Sequence, residues 1–247
     1  MNWDQYKDLQ YNEERSHSLA DFDAKLSPTK LEDLILDVQE RNRLMGYKTR
    51  VMEIGAGNGR VLIELQKLFP DVEFYAINKE KTHTFYRRES FILTALKFGI
   101  YTEAEAESVH LPYVVFQDLD FGQRIPYEEK KFDIVFTQNT MKYIKYKFEL
   151  MNEIMRVLRP GGLSIHTDMP VVNIYSKGLV MEFRDAMALM RKKDIEISFS
   201  PEGNLLKFKK KQDNTLFPVL PHQPIPERLE GLSQELRRPD MGYNFQY

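Results

Sequence analysis

The sequence predicts an α/β fold: a doubly wound, mostly parallel seven-stranded sheet with helices on both faces and an antiparallel pair at its C-terminal edge. Three observations carry this. Short apolar runs alternate with helix-spaced segments from Arg50 to Thr167. The first run leads straight into alternate glycines with a helix behind them. Two further short runs near the C-terminus are joined across Pro201-Glu202-Gly203-Asn204, as a hairpin would be. At 247 residues the length suits one such domain with decorations.

The elements follow in order. Residues 1–27 are polar with scattered aromatics (Trp3, Tyr6, Tyr11, Phe22) and read as a mobile arm or as a flap or lid whose aromatics dock onto the domain. Residues 28–212 read as the domain proper. Its first helix starts at Ser27 or Thr29, with Leu31, Leu34, Ile35 and Val38 at helical spacing. Arg50 to Ile54 is a strand, and Val61, Leu62, Leu65 and Leu68 mark a helix stopped by Pro70. Val72 to Ile77 is a strand, Thr82 to Phe98 a helix closed by Gly99, and Glu103, Glu105 and Glu107 an acidic surface loop. Strands follow at Val114 to Phe116 and Phe132 to Phe136. The helix Phe148 to Leu158 turns through Pro160-Gly161-Gly162 into the strand Leu163 to Thr167. Leu179 to Arg191 reads as a helix, and Glu196 to Phe199 with Leu205 to Lys209 as the closing pair. Residues 213–247 carry prolines 218, 221, 224, 226 and 239 and read as a proline-rich tail without regular structure.

Composition removes several function classes. With 35 Lys plus Arg against 37 Asp plus Glu, bulk attraction to nucleic acid or an anionic membrane is disfavoured. The absence of Cys excludes thiol catalysis and Cys-ligated zinc, and the five dispersed histidines show no metal-ligand spacing. No apolar run approaches the ~20 residues of a membrane span. The reading is a cytoplasmic protein without a bound metal. A protein partner, if there is one, would use the arm or the tail.

The informative stretch is Val51-Met52-Glu53-Ile54-Gly55-Ala56-Gly57-Asn58-Gly59-Arg60. Glycine suits a tight turn that must approach a ligand without a Cβ in the way. The spacing Gly55, Gly57, Gly59 departs from the dinucleotide fingerprint, and no Lys-Ser/Thr follows to cradle a triphosphate. Glu53 before the loop disfavours a pyrophosphate and favours a ligand with positive charge, an amino acid or a sulfonium.

That stretch, with Phe132-Asp133-Ile134-Val135-Phe136-Thr137-Gln138-Asn139 and Leu158-Arg159-Pro160-Gly161-Gly162-Leu163, resembles the ordered motifs of class I S-adenosylmethionine-dependent methyltransferases. The resemblance covers roughly Thr49 to Thr167 and implies S-adenosylmethionine as cofactor and a small molecule or biosynthetic intermediate as acceptor. It implies that Glu53, Gly55, Ala56, Gly57 and Gly59 meet the methionine part, and it puts Asp118 and Leu119 beside the adenine. Asn139 is counted with the cofactor residues. The ribose falls to the end of the second strand, where such enzymes carry a carboxylate and this chain carries Asn78 followed by Lys79. A neutral amide there costs about 1–2 kcal/mol of affinity relative to a carboxylate.

Acceptor-side candidates lie after the fourth and fifth strands. His166 is the one histidine so placed, with a pKa range suited to taking a proton, although a packed core histidine is the stronger reading. Tyr143 stands where related small-molecule enzymes often carry histidine. A methyltransferase-like binding protein without turnover, or an enzyme acting on a macromolecule, are the alternatives.

Overall fold

The computed structural model describes residues 17–79, 88–117, 119, 124–144, 147–168, 173–176, 179–182, 195–199 and 205–211. The aromatics before His17, residues 82–87 of the expected helix, Asp118, residues 183–191, the turn at 201–204 and the tail lie outside the described residues.

Nine strands and six α-helices form the described chain. Seven of the strands make one sheet. Strands β1 (Arg50–Ile54), β2 (Glu73–Asn78), β3 (Tyr113–Phe116), β4 (Phe132–Thr137) and β5 (Leu158–Thr167) are parallel. Strands β8 (Ile195–Phe199) and β9 (Leu205–Lys210) close the edge antiparallel, giving the order β3-β2-β1-β4-β5-β9-β8. The order reverses between β1 and β4, so the crevice above their C-terminal ends is where a ligand of such a sheet binds.

Alternation along the central strands splits the core between two faces. Val51, Phe74, Ala76, Ile134 and Phe136 point to the face covered by α1 (Leu19–Leu26), α2 (Leu31–Leu44), α3 (Arg60–Leu68), α4 (Arg88–Lys97) and α5 (Glu103–Ser108). Met52, Ile54, Tyr75, Ile77 and Val135 point to the other, under α6 (Lys147–Val157). Every residue of β4 is buried, as a central strand covered on both faces must be.

Four expectations are corrected. The second half of the supposed arm is α1, started by a reciprocal cap in which Asp21 N–H donates to Ser18 Oγ (3.1 Å) and Ser18 N–H to Asp21 (2.8 Å). Its Leu19, Phe22 and Leu26 are core residues, and Phe22 meets Phe136 edge-on at 5.2 Å. The acidic segment is α5, capped by Thr102 and Glu105 in the same way. Leu179–Glu182 is strand β7, paired antiparallel with β6 (Asn173–Ser176), because ladder bonding to a neighbour outweighs a helical side-chain spacing. Finally, β5 begins at Leu158 and absorbs the Pro-Gly-Gly turn as a register shift against β4. Among the described residues no helix is long and apolar enough to cross a membrane, and no group of acidic or histidine side chains could hold a metal.

Candidate functional site

The site grows from the loop between β1 and α3. Gly55 (φ 78°), Gly57 (φ 56°) and Gly59 (φ 77°) all have left-handed backbones. At Gly55 the constraint is doubled, because a Cβ there would overlap the side chain of Thr140 from the β4 loop. Gly59 caps α3, and its N–H closes the turn onto Ala56 O at 2.7 Å.

Asn78, at the end of β2, is buried and clamps this loop. Its Oδ1 accepts from Gly57 N–H at 3.0 Å and its Nδ2 donates to Gly57 O at 3.0 Å. A carboxamide has one donor and one acceptor end and can make both bonds; an ionised carboxylate can only accept. The amide that stands where the resemblance implies a carboxylate therefore has a local role: it ties the glycine loop to β2.

Among the described residues, two buried polar groups stand unpaired beside this loop. Glu53 is 3% exposed and its Oε2 has no hydrogen-bond partner. Burial alone pushes its carboxyl up from 4.5 to about 8. Gln138 is 5% exposed, and neither end of its amide is hydrogen-bonded. Such groups cost free energy in the interior, and these two differ from the unpaired Gln66 Oε1 and Tyr127 hydroxyl in standing together at the strand ends beside the glycine loop, where a ligand could complete them.

Past Gln138, the β4 loop is held from the other side. Asn139 (φ 54°) and Asp168 (φ 57°) both have left-handed backbones at neighbouring strand ends. Asp168 accepts from Lys25 Nζ at 2.7 and 2.9 Å, from Thr167 Oγ1 at 2.9 Å and from Asn139 N–H at 3.2 Å. Burial pushes the Asp168 carboxyl up, but these donors outweigh it and hold it below the usual carboxylate value. The Asn139 amide also meets His17 Nε2 at 3.1 Å. Helix α1 thus covers the β4 and β5 ends through Phe22 and Lys25, joined by His17 just ahead of its cap.

The candidate base is packed in the core, as the stronger of its two readings had it. His166 is fully buried on the α6 side, with Thr137 Oγ1 3.0 Å from Nδ1, Ser164 Oγ 2.8 Å from Nε2 and the Phe208 ring against it. Burial lowers its pKa to about 3, so it stays neutral and both nitrogens are engaged. It is a core residue, and the catalytic expectation for it is withdrawn. Tyr143, in a short 3-10 turn (Met141–Tyr143), is 46% exposed on the rim. Lys79 is exposed at the end of β2, and Leu119 is buried with Ile54 and Ile77. A groove of about 1070 Å³ lies at the other end of the sheet, between the end of α2 and the starts of β2 and β3.

Sequence reasoning missed Lys25 and His17, which it placed in an arm, and it gave Gln138 no role. The signal for the first two was present: Ser18 and Asp21 have capping-box spacing just ahead of the apolar series Leu19, Phe22, Leu26. Nothing in a sequence marks a glutamine as buried and unpaired.

The donor set fits S-adenosylmethionine. A buried carboxyl oxygen without a cation suits an ammonium or sulfonium group, and the side-chain-free loop beside it allows close approach.

Comparison with known proteins identifies the family. Residues 46–212 match the family described as a methyltransferase domain. Methyltransferase str2 of Strobilurus tenacellus is 25% identical over 209 residues, covering 80% of this chain and 67% of that protein. Sterol 4-C-methyltransferase strm-1 of Caenorhabditis elegans is 40% identical over 55 residues, 22% of this chain and 16% of its own length. The chain therefore spans about two thirds of the first relative and under a fifth of the second. Among solved structures, a SAM-dependent methyltransferase from Aquifex aeolicus aligns with a TM-score of 0.40 at 16% identity, over 77% of this chain and 95% of that one.

Proposed function

The chain belongs to the S-adenosylmethionine-dependent methyltransferase family, and from that premise we propose that it methylates a small molecule or biosynthetic intermediate. The observation that carries the reading is Glu53, a buried carboxyl with an unpartnered oxygen at the foot of the glycine loop. The named activity of the sterol-methylating relative supports a small-molecule acceptor.

When bound, the cofactor supplies an electrophilic methyl group on a sulfonium. The chain's part is to bind and align. The glycine loop lets the backbone approach the methionine portion, with Glu53 facing its positive charge. Asn78 keeps the loop in place, and Asn78 and Lys79 are the residues that would hold the ribose, with Asp118 and Leu119 those that would flank the adenine. The acceptor enters beside Asn139 and Tyr143, under the cover of α1. In-line displacement needs close approach and exclusion of water more than a base, which is consistent with the withdrawal of His166.

The test is calorimetry with S-adenosylmethionine and S-adenosylhomocysteine. It is followed by transfer of labelled methyl from the cofactor into small-molecule, protein and RNA fractions of a cell extract. Micromolar binding with label in the small-molecule fraction is the expected result. Binding without transfer in any fraction would favour a methyltransferase-like binding protein, and no binding at millimolar ligand would overturn the reading.

A further inference from the structure

We propose that the groove at the N-terminal end of the sheet is a docking site for the chain's own proline-rich segment, residues 218–226, bound there as a polyproline II helix. This end lies opposite the crevice, so the site stands apart from the cofactor reading above.

The groove, about 1070 Å³, is walled by α2, the segment after α3 and the starts of β2 and β3. Of the seven large hydrophobic side chains exposed among the described residues, Leu36, Tyr47 and Tyr113 line it. Leu44, Met45 and Leu68 stand where α2 and α3 end beside it. Exposed apolar surface gathered in one place marks an interaction site. The two tyrosines are held from behind: Tyr113 stacks on Tyr75 with centroids 4.8 Å apart, and Arg159 stands 5.6 Å from the centre of the Tyr47 ring. Both nevertheless stay more than half exposed. Gln66 lies in the same wall, 8% exposed; its Nε2 donates to His110 O, and its Oε1 has no partner among the described residues. The occupant must therefore bring an apolar ridge for the tyrosines and a free N–H for Gln66.

Residues 218–226 read Pro-Val-Leu-Pro-His-Gln-Pro-Ile-Pro. Pro218, Pro221 and Pro224 recur at every third residue, the repeat of polyproline II, so in that conformation they form one ridge. Such a helix makes no internal hydrogen bonds, and the residues between the prolines keep their N–H groups for a partner. Proline ridges of this kind dock in aromatic-lined grooves. The chain also leaves the sheet at the matching end. Strand β9 runs antiparallel to β5 and finishes beside its start, where Lys210 Nζ donates to Leu158 O at 2.8 Å. The next residue of β5 is Arg159, the one over Tyr47. Four strand spacings, about 19 Å, separate β9 from β2. Residues 212–217, extended, span about 20 Å, which brings Pro218 to the groove.

The test uses the full chain and a labelled synthetic peptide of residues 213–228. A flexible tether gives its end an effective concentration of about 1 mM. A peptide with a dissociation constant of about 0.1 mM or tighter is then weakened roughly ten-fold or more wherever the tail already fills the groove. Pro218→Ser, Pro221→Ser and Pro224→Ser, combined, remove the ridge. The peptide is expected to bind that triple variant roughly ten-fold or more tightly than the parent, with both chains monomeric by sedimentation. Tyr47→Ser, or separately Leu36→Ser, added to the triple variant should abolish peptide binding while circular dichroism stays native. Two wall positions on different segments keep the result readable if one variant misfolds. Equal affinity for parent and triple variant, or binding to neither, overturns the proposal. So does peptide binding that survives both wall substitutions. A parent dimer that the proline substitutions dissociate overturns it as well, because the tail would then fill a second copy's groove.

Discussion

Asp133 and Glu53 are buried carboxyls on neighbouring central strands, 4% and 3% exposed, and the fold treats them oppositely. Asp133 stands near the start of β4. It accepts from Arg50 N–H at 2.8 Å and from Arg159 at 3.2 Å through both its oxygens, so the chain itself provides its donors and its cation. Glu53 stands near the end of β1 with an unpartnered oxygen and, among the described residues, no cation beside it. Desolvation of a carboxylate is expensive wherever it occurs, and only the pairing differs. The N-terminal end of the sheet is finished by folding. The C-terminal end is finished by something that the chain does not supply, which is why burial identifies no site until hydrogen bonds are counted alongside it.

The comparison is broken most severely at Gly55. An alanine there must hold φ near +78° and also push into Thr140. The backbone term alone is about 1–2 kcal/mol, and the overlap adds to it. Gly55→Ala should weaken S-adenosylhomocysteine by roughly 100-fold or more in calorimetry while circular dichroism keeps its native form. Gly55→Ala with Thr140→Gly should recover part of that loss, because the overlap is relieved and the φ strain is not. If Gly55→Ala binds as the parent does, the loop is not the ligand's cradle and Glu53 is merely an ill-paired core residue.

The carboxyls themselves provide the second break. Arg159→Met leaves Asp133 buried with one donor and should cost about 2–3 kcal/mol in urea unfolding, discounted because Arg159 is partly exposed, with ligand affinity unchanged. Glu53→Gln should do the reverse, leaving stability equal or higher and weakening the ligand. The pH dependence gives the sign independently. In the folded protein Glu53 holds its proton up to about 8, against an ordinary 4.5, so between those values the folded state binds more protons than the unfolded one. Glu53 therefore makes its full contribution to stability below the unfolded value. That contribution is lost as pH rises through the window, at up to ~1.4 kcal/mol per pH unit. Thermal midpoints from pH 5 to 9 should fall less steeply in Glu53→Gln than in the parent. Identical slopes would mean that Glu53 is ionised and paired, and the contrast with Asp133 would disappear.

Much of this molecule was legible before any coordinates. Strand β1 has the predicted bounds, and β2, β3, β4 and α3 fall within one or two residues of theirs, because apolar periodicity and the Gly and Pro stops are local signals. Failures came where a partner distant in sequence decides. Leu179–Glu182 pairs as a strand despite helical spacing, and α1 becomes core because Phe136 lies beneath Phe22. In the site, the glycines and Glu53 could be named from the motif. Whether a buried amide is used, as in Asn78, or unused, as in Gln138, is a three-dimensional property.

Asn78 gives the smallest effect and the finest distinction. From sequence, restoring the family's carboxylate with Asn78→Asp should tighten the cofactor through charge-assisted bonds to the ribose. The structure reverses the sign. The introduced carboxylate keeps the acceptor for Gly57 N–H but loses the donor to Gly57 O and faces that carbonyl with a negative charge. Side chain 78 then holds Gly57 by one bond instead of two, and S-adenosylhomocysteine should weaken by roughly three- to ten-fold at pH 8. A protonated carboxyl has a donor and an acceptor, as an amide does, so the deficit should shrink as the new side chain takes up a proton near pH 5. Glu53 also changes with pH, and the quantity to follow is the ratio of variant to parent dissociation constants at each pH, in which that shared term cancels. A ratio above one at pH 8 that falls toward one at pH 5 identifies Asn78 as the clamp of the glycine loop. A ratio below one at pH 8 restores the direct ribose contact, and the carboxamide then becomes a weakened member of the family's pattern instead of a locally required one.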